Sequence, residues 1–208
     1  IASQTKYQAQ VHLTNIKREL EGNELLKNDM GPFVEQREEW GSTSLYIPKY
    51  KARITAISTE QRVRGFFYGV YRLELIILDD VDDRHDSAMV VQRKVEIITE
   101  SILPAGSADC ATLFIQNRIH DGSIAAMLAD GKADFLLDRL PVLEEPAIIG
   151  LIYEQRDRED GTRVYEITGG TPTWDGQSLD ICNQQINDWG RRAFLREAQH
   201  QTKNNDDT

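Results

Sequence analysis

The sequence predicts an α/β fold: a mostly parallel sheet with helices on both faces, followed by a small C-terminal helical subdomain. Three observations carry this. Leu75-Ile76-Ile77-Leu78 runs unbroken into Asp79-Asp80, and a strand with aliphatic side chains on both faces belongs in the middle of a covered, parallel sheet. Ala111 to Ile115 repeats the pattern and ends in Gln116-Asn117. Between the two, Val90, Val91, Val95, Ile98 and Ile102 recur at helical spacing and stop near Pro104 and Gly106, which makes a strand, helix, strand unit. Ligands of such sheets gather beyond the carboxyl ends of the strands, where Asp79 and Asp80 stand.

The remaining elements follow in order. Ile1 to Ser3 reads as the end of a strand, and Ala9, Leu13, Ile16 and Leu20 mark an amphipathic helix stopped at Gly22-Asn23, with Lys17, Arg18 and Glu19 on its wet face. Asn28 to Gly41 reads as loop. Leu45 to Pro48 and Ala52 to Ser58 alternate like a short antiparallel pair turning at Tyr50-Lys51. A loop dense in arginine, aromatics and glycine, Arg62 to Arg72, precedes the central strand. After it, Asp83 or Asp86 is the expected N-cap of the next helix, and His85 a solvent-facing loop residue. Ser123 to Ala129 is a short helix closed at Gly131. Phe135 to Leu143 contains Pro141, so it is not a central strand throughout. Ala147 to Gln155 and Thr162 to Ile167 flank an Asp160-Gly161 turn and predict a hairpin. Gly169 to Gly176 is the sharpest break in composition, which divides a core, residues 1–170, from a helical subdomain, residues 171–208. In the latter Ser178 caps a helix with Leu179, Ile181, Cys182 and Ile186 inward, and Arg191 to His200 continues it. The tail from Gln201 is polar and expected to fray.

Composition narrows the function. The 208 residues are 40% hydrophobic and carry a formal net charge of -10, from 34 acidic and 24 basic residues. That suits a globular core and argues against a free-standing module gripping nucleic acid through bulk charge. Cys110 and Cys182 lie far apart without a CxxC or paired His pattern, so neither a disulfide framework nor a zinc site is expected. No apolar run reaches the length of a membrane span, and a soluble, cytoplasmic protein is expected.

Because neighbouring strand residues point to opposite faces, Asp79 and Asp80 diverge and can hold different tasks, one on a metal and one on a water. The Walker B segment of P-loop ATPases has this form; ordinary strands also end in acids that only cap the next helix. The order of several segments is more specific. Ala2-Ser3 with the helix containing Ile16-Lys17-Arg18-Glu19-Leu20-Glu21-Gly22-Asn23, the Arg64-Gly65 to Arg72 loop leading into Leu75 to Asp80, the Thr112 to Gly122 strand and turn with Arg118-Ile119-His120, and the late Trp174 and Phe194-Leu195-Arg196-Glu197 together resemble the ATPase domain of phage terminase large subunits, nearly from end to end.

The resemblance implies a three-layer P-loop NTPase-like fold of the ASCE kind and a motor that hydrolyses ATP, with Mg²⁺, to package double-stranded DNA into a procapsid in the bacterial host cytoplasm. It implies self-association into a ring, with the portal protein and the small terminase subunit as partners. Carried over by residue, Asp79 is the metal and nucleotide ligand, holding Mg²⁺ through its water shell, and Asp80 the catalytic carboxylate that orients the attacking water. Many relatives have Glu there. Gln116 and Asn117 take the position that senses the γ-phosphate, and Arg64, with Arg72 as second choice, matches an arginine acting across a subunit boundary. The family's nuclease domain would follow this chain, so no nuclease activity is assigned from the resemblance. The sequence departs from the family in having no GxxxxGK[ST] loop, the segment that cradles phosphates; in the family it precedes the strand that Ile1 finishes, and the expectation is a chain truncated before it.

Two rival readings remain. Asp79, Asp80, Asp82 and Asp83 could form a two-metal nuclease site, with Mn²⁺-dependent DNA cleavage abolished by Asp79→Ala as its sign. Alternatively the chain is an inactive prophage relic or assembly module. One expectation follows directly: in an ATPase assay these 208 residues alone neither bind ATP tightly nor hydrolyse it, and Mg²⁺-dependent turnover would contradict the account of the absent loop.

Overall fold

The computed structural model describes residues 1–33, 40–60, 72–136 and 145–202. The chain divides into two compact units, Ile1–Gln116 and Asn117–Thr208. The division falls after the second aliphatic strand and not near Thr171. The glycines that suggested a boundary there, Gly169 and Gly170, lie inside a strand, where Gly170 adopts φ 121°.

The first unit starts with β1 (Ala2–Ser3) and α1 (Lys6–Gly22). Thr5 caps α1 reciprocally with Gln8, each side chain serving the other's backbone N–H, which satisfies two of the donors a helix start leaves open. The expected stop at Gly22-Asn23 holds, but Asn23 at once caps a second helix, α2 (Glu24–Met30), accepting from the N–H groups of Leu25 and Leu26. β2 (Ser44–Ile47) and β3 (Ala52–Thr55) pair antiparallel, turning through Lys51 at φ 51°. Ala9 and Leu13 of α1 pack with Trp40, Leu45, Ile47 and Ala56 into one core.

β4 (Ile57–Ser58) then lies parallel to β1, β5 (Leu73–Asp79) to the other side of β1, and, after α3 (Ala88–Ile97) and a wider turn to Ile102, β6 (Gly106–Ile115) lies beside β5. The sheet order is β4-β1-β5-β6, all parallel, and helices flank it, as the sequence predicts. Ser87, not Asp83 or Asp86, caps α3 by accepting from the Val90 N–H; Asp86 is engaged elsewhere. Among the described residues β5 is not covered on both faces. Ile76 and Leu78 are buried, whereas Leu75 on the opposite face is 55% exposed.

The second unit contains α4 (Ile124–Ala129), capped by Ser123, then the antiparallel hairpin β7 (Ile148–Asp157) and β8 (Arg163–Pro172), α5 (Leu179–Asp188) and α6 (Arg191–Glu197). Gly161 turns the hairpin at φ 80°, as the Asp-Gly pair predicts. Ile148, Cys182, Ile186, Phe194 and Leu195 form its core; Ile181, expected inward, is exposed. Two asparagines one turn apart on α5 cover the free edge of β8. Asn187 accepts from the Tyr165 N–H at 2.8 Å and donates to its carbonyl at 2.7 Å, and Asn183 accepts from the Ile167 N–H at 2.8 Å. The helix thus stands where a third strand would, which protects an edge from pairing with other chains.

Leu78 is fully buried, so Leu78→Ala is expected to cost about 2–5 kcal/mol in urea unfolding; a cost below about 1 kcal/mol would mean that the sheet core collapses around the change.

Candidate functional site

The carboxyl ends of β5 and β6 bring together residues from four segments. Asp79 is the last residue of β5, and Asp80 follows at φ 50°, a left-handed conformation that a side-chain-bearing residue adopts only when its surroundings hold it. Here the backbone holds it on both sides. The Asp80 N–H donates to the Ile115 carbonyl at 3.0 Å, and the Asp80 carbonyl accepts from the Gln4 N–H at 3.2 Å. The chain therefore turns out of the sheet at Asp80 without leaving either backbone group unused.

The α1 side of this edge is lined by a polar stripe. Gln4, Gln8 and His12 recur every four residues, and each meets one acid: Gln4 Nε2 donates to Asp83 Oδ2 at 3.3 Å, Gln8 Nε2 to Asp80 Oδ2 at 3.3 Å, and His12 Nε2 lies 2.9 Å from Asp79 Oδ2. From the opposite side Gln116, just past β6, donates through Nε2 to Asp80 Oδ1 at 3.3 Å and accepts from the Asp82 N–H at 2.9 Å. Asp80 is thus held at both oxygens by neutral amides, which orient a carboxylate without supplying a compensating charge. Its contacts are solvent-exposed, so water reaches it.

The loop after Asp80 is fixed from below. Lys94 of α3, 5% exposed, donates to the Val81 carbonyl at 2.8 Å and makes a short ion pair with Asp86, whose carboxylate also accepts from the Asp83 N–H at 3.0 Å. This engagement is why Asp86 does not cap α3. Asp83 is held below the ordinary carboxylate value chiefly by the His85 N–H, with Gln4 adding to the effect against the opposing pull of burial. Its neighbour His85 is exposed, as expected.

Of the residues singled out in the sequence, Asp79, Asp80 and Gln116 meet at this edge. Asn117 opens the second unit. Arg72 sits at the other end of β5, donating to the Pro104 carbonyl at 3.0 Å; seven strand residues at about 3.3 Å each put it roughly 20 Å from the acids of its own chain. It cannot serve them within one subunit. Arg64 lies outside the described residues. Asp82 is buried, and Asp83 and Asp86 are turned to the partners named above. Among the described residues no group of three or more His, Cys, Asp or Glu side chains is placed to hold a metal ion. The single Asp79 carboxylate, partly open at 22% side-chain exposure, fits Mg²⁺ held through its own waters and not an all-protein cage.

One face of the sheet carries exposed apolar side chains next to these acids. Leu75, Ile77 and Asp79 share one face of β5, and their register partners Ala111, Leu113 and Ile115 share it on β6. Leu75, Leu113 and Ile115 are 55%, 49% and 49% exposed, and among the described residues no strand pairs with the outer edge of β6. A comparison with protein-family models, curated proteins and solved structures finds no match for the chain. No described helix is long and apolar enough to cross a membrane.

Sequence reasoning missed Gln4, Gln8, His12 and Lys94. The four-residue spacing of the first three was the available signal. Removing the partner of a buried lysine leaves its charge uncompensated, so Asp86→Ala is expected to destabilise the first unit by about 3–5 kcal/mol in urea unfolding; a loss under about 1 kcal/mol would show that water reaches Lys94.

Proposed function

We propose that the first unit is the acid-bearing part of an ATPase motor core of the phage terminase large-subunit kind, in which ATP hydrolysis drives double-stranded DNA into a procapsid. One observation carries this reading: the Asp79-Asp80 pair ends a parallel strand directly beside an exposed apolar strip and, among the described residues, a strand edge with no partner. A further parallel strand paired to β6, followed by a helix laid over Leu75, Leu113 and Ile115, would satisfy both. The loop between such a strand and helix would meet the acids, with the helix N-terminus offering its N–H groups to phosphate. The sequence has no GxxxxGK[ST] loop, and the family resemblance puts that segment ahead of β1.

In this reading the triphosphate lies across the carboxyl edge. Mg²⁺, when bound, would neutralise charge on the phosphates, and Asp79 is the residue that would hold it, through water. Asp80, exposed between two amides, would accept a hydrogen bond from the attacking water and so aim the water's lone pair at the phosphorus. Gln116 touches both Asp80 and the Asp82 backbone, so a shift at the γ-phosphate reaches the loop that Lys94 anchors. The arginine for the transition state would come from a neighbouring subunit of a ring, through Arg64 or Arg72. The remaining partners are the portal protein, the small terminase subunit and DNA, and the setting is the cytoplasm of a bacterial host.

The test joins the chain to a strand, loop and helix carrying GxxxxGK[ST]. Mg²⁺-dependent ATP hydrolysis should appear, and Asp80→Asn should cut kcat by about 10²–10⁴-fold while ATP still binds. Turnover that survives Asp80→Asn, or no nucleotide binding at all, would refute the reading.

A further inference from the structure

Resting on that ATPase reading, we propose that Gln8, on α1, is a positioning residue for Asp80, so that the start of this helix belongs to the catalytic apparatus. The backbone of Asp80 is left-handed, and strand geometry no longer dictates where its side chain points. Partners must do so. Gln116, in the segment expected to sense phosphate, supplies one; Gln8, 72 residues earlier in the chain, supplies the other.

Both amides are themselves oriented. Gln8 Oε1 accepts from the Thr5 N–H at 3.0 Å and from the Thr5 hydroxyl at 3.0 Å, and Gln116 Oε1 accepts from the Asp82 N–H at 2.9 Å. Once the carbonyl end of an amide is bound to N–H donors, its NH₂ end can only face the other way, here toward Asp80. A carboxylate has room for about four hydrogen bonds, so two amides fix its plane and leave lone pairs for a water. Arg or Lys in their place would draw the charge of the carboxylate into an ion pair and weaken it as a base. Gln does not.

The capping role of Gln8 allows its two functions to be separated. Glu at the same position still accepts from the Thr5 N–H, the usual arrangement of a capping box, and its charge suits a helix N-terminus. It cannot donate to Asp80. Gln8→Glu therefore keeps the helix start and removes the clamp, whereas Gln8→Ala removes both.

Two measurements decide the proposal. In the 208-residue chain, Asp80→Asn should shift the side-chain amide resonances of Gln8 and Gln116 in ¹H–¹⁵N spectra more than that of Gln4; an unmoved Gln8 resonance would overturn the clamp, whether or not the protein hydrolyses ATP. In the chain joined to the phosphate-binding segment, Gln8→Glu should leave the protein folded, set a like charge against Asp80 in place of an amide donor, and lower kcat by about 10–100-fold with a smaller change in KM for ATP, the cost of a misplaced group. Parent-level kcat in Gln8→Glu, alongside a collapse in Asp80→Asn, would refute the role of Gln8 and leave the ATPase reading standing. Parent-level kcat in both variants would refute the reading itself.

Discussion

The reversal of the backbone at Asp80 is the constraint on which the carboxyl edge of the sheet in the first unit depends. A left-handed aspartate costs on the order of 1–2 kcal/mol relative to an ordinary strand residue. The cost is offset because each of its polar groups has a defined partner: Ile115 for the N–H, Gln4 for the carbonyl, Gln8 and Gln116 for the carboxylate. Three segments distant in sequence converge there: the start of α1, the end of β5 and the end of β6. Straightening this one residue would disengage the start of α1 from the ends of β5 and β6, so sheet register and site geometry are set together.

The acids nearby show how local bonding sorts chemically identical groups. Asp79 faces His12, Asp80 lies between neutral amides, Asp83 is folded back on the loop backbone, and Asp86 neutralises a buried lysine. The first two stand at the end of β5, and Asp80 is the exposed one of the four. Carboxylates crowded together in the sequence thus part in space: Asp79 and Asp80 at the sheet edge, Asp82 buried, and Asp83 and Asp86 shaping the loop.

Much of this was legible in the sequence. Aliphatic runs ending in polar residues located β5 and β6 and their carboxyl edge, because burial selects Ile, Leu and Val without reference to detail elsewhere. Asp160-Gly161 gave its hairpin, and Ser178 its helix cap, because both signals act over a few residues. The misses have a common cause: they depend on which long-range partner a side chain finds. Gln8 and His12 read as ordinary polar positions of an amphipathic helix until β5 is set beside them. Asp86 looked like a cap, but Lys94 claims it. Four consecutive aliphatic residues imply a strand covered on both faces, yet Leu75 is uncovered among the described residues, since a run of apolar side chains states what must be buried and not what buries it. Gly169-Gly170 resembled a linker because glycine marks bulges within strands as readily as breaks between units.

In the proposed ATPase the acid pair and the exposed apolar strip beside it serve one ligand. The most direct test is a crystal structure of the chain joined to a phosphate-binding strand, loop and helix, with Mg²⁺ and a non-hydrolysable ATP analogue. The account predicts the added strand on the outer edge of β6, its helix over Leu113 and Ile115, and the γ-phosphate one water away from Asp80. A nucleotide bound elsewhere, with that strip still open to solvent, would contradict it.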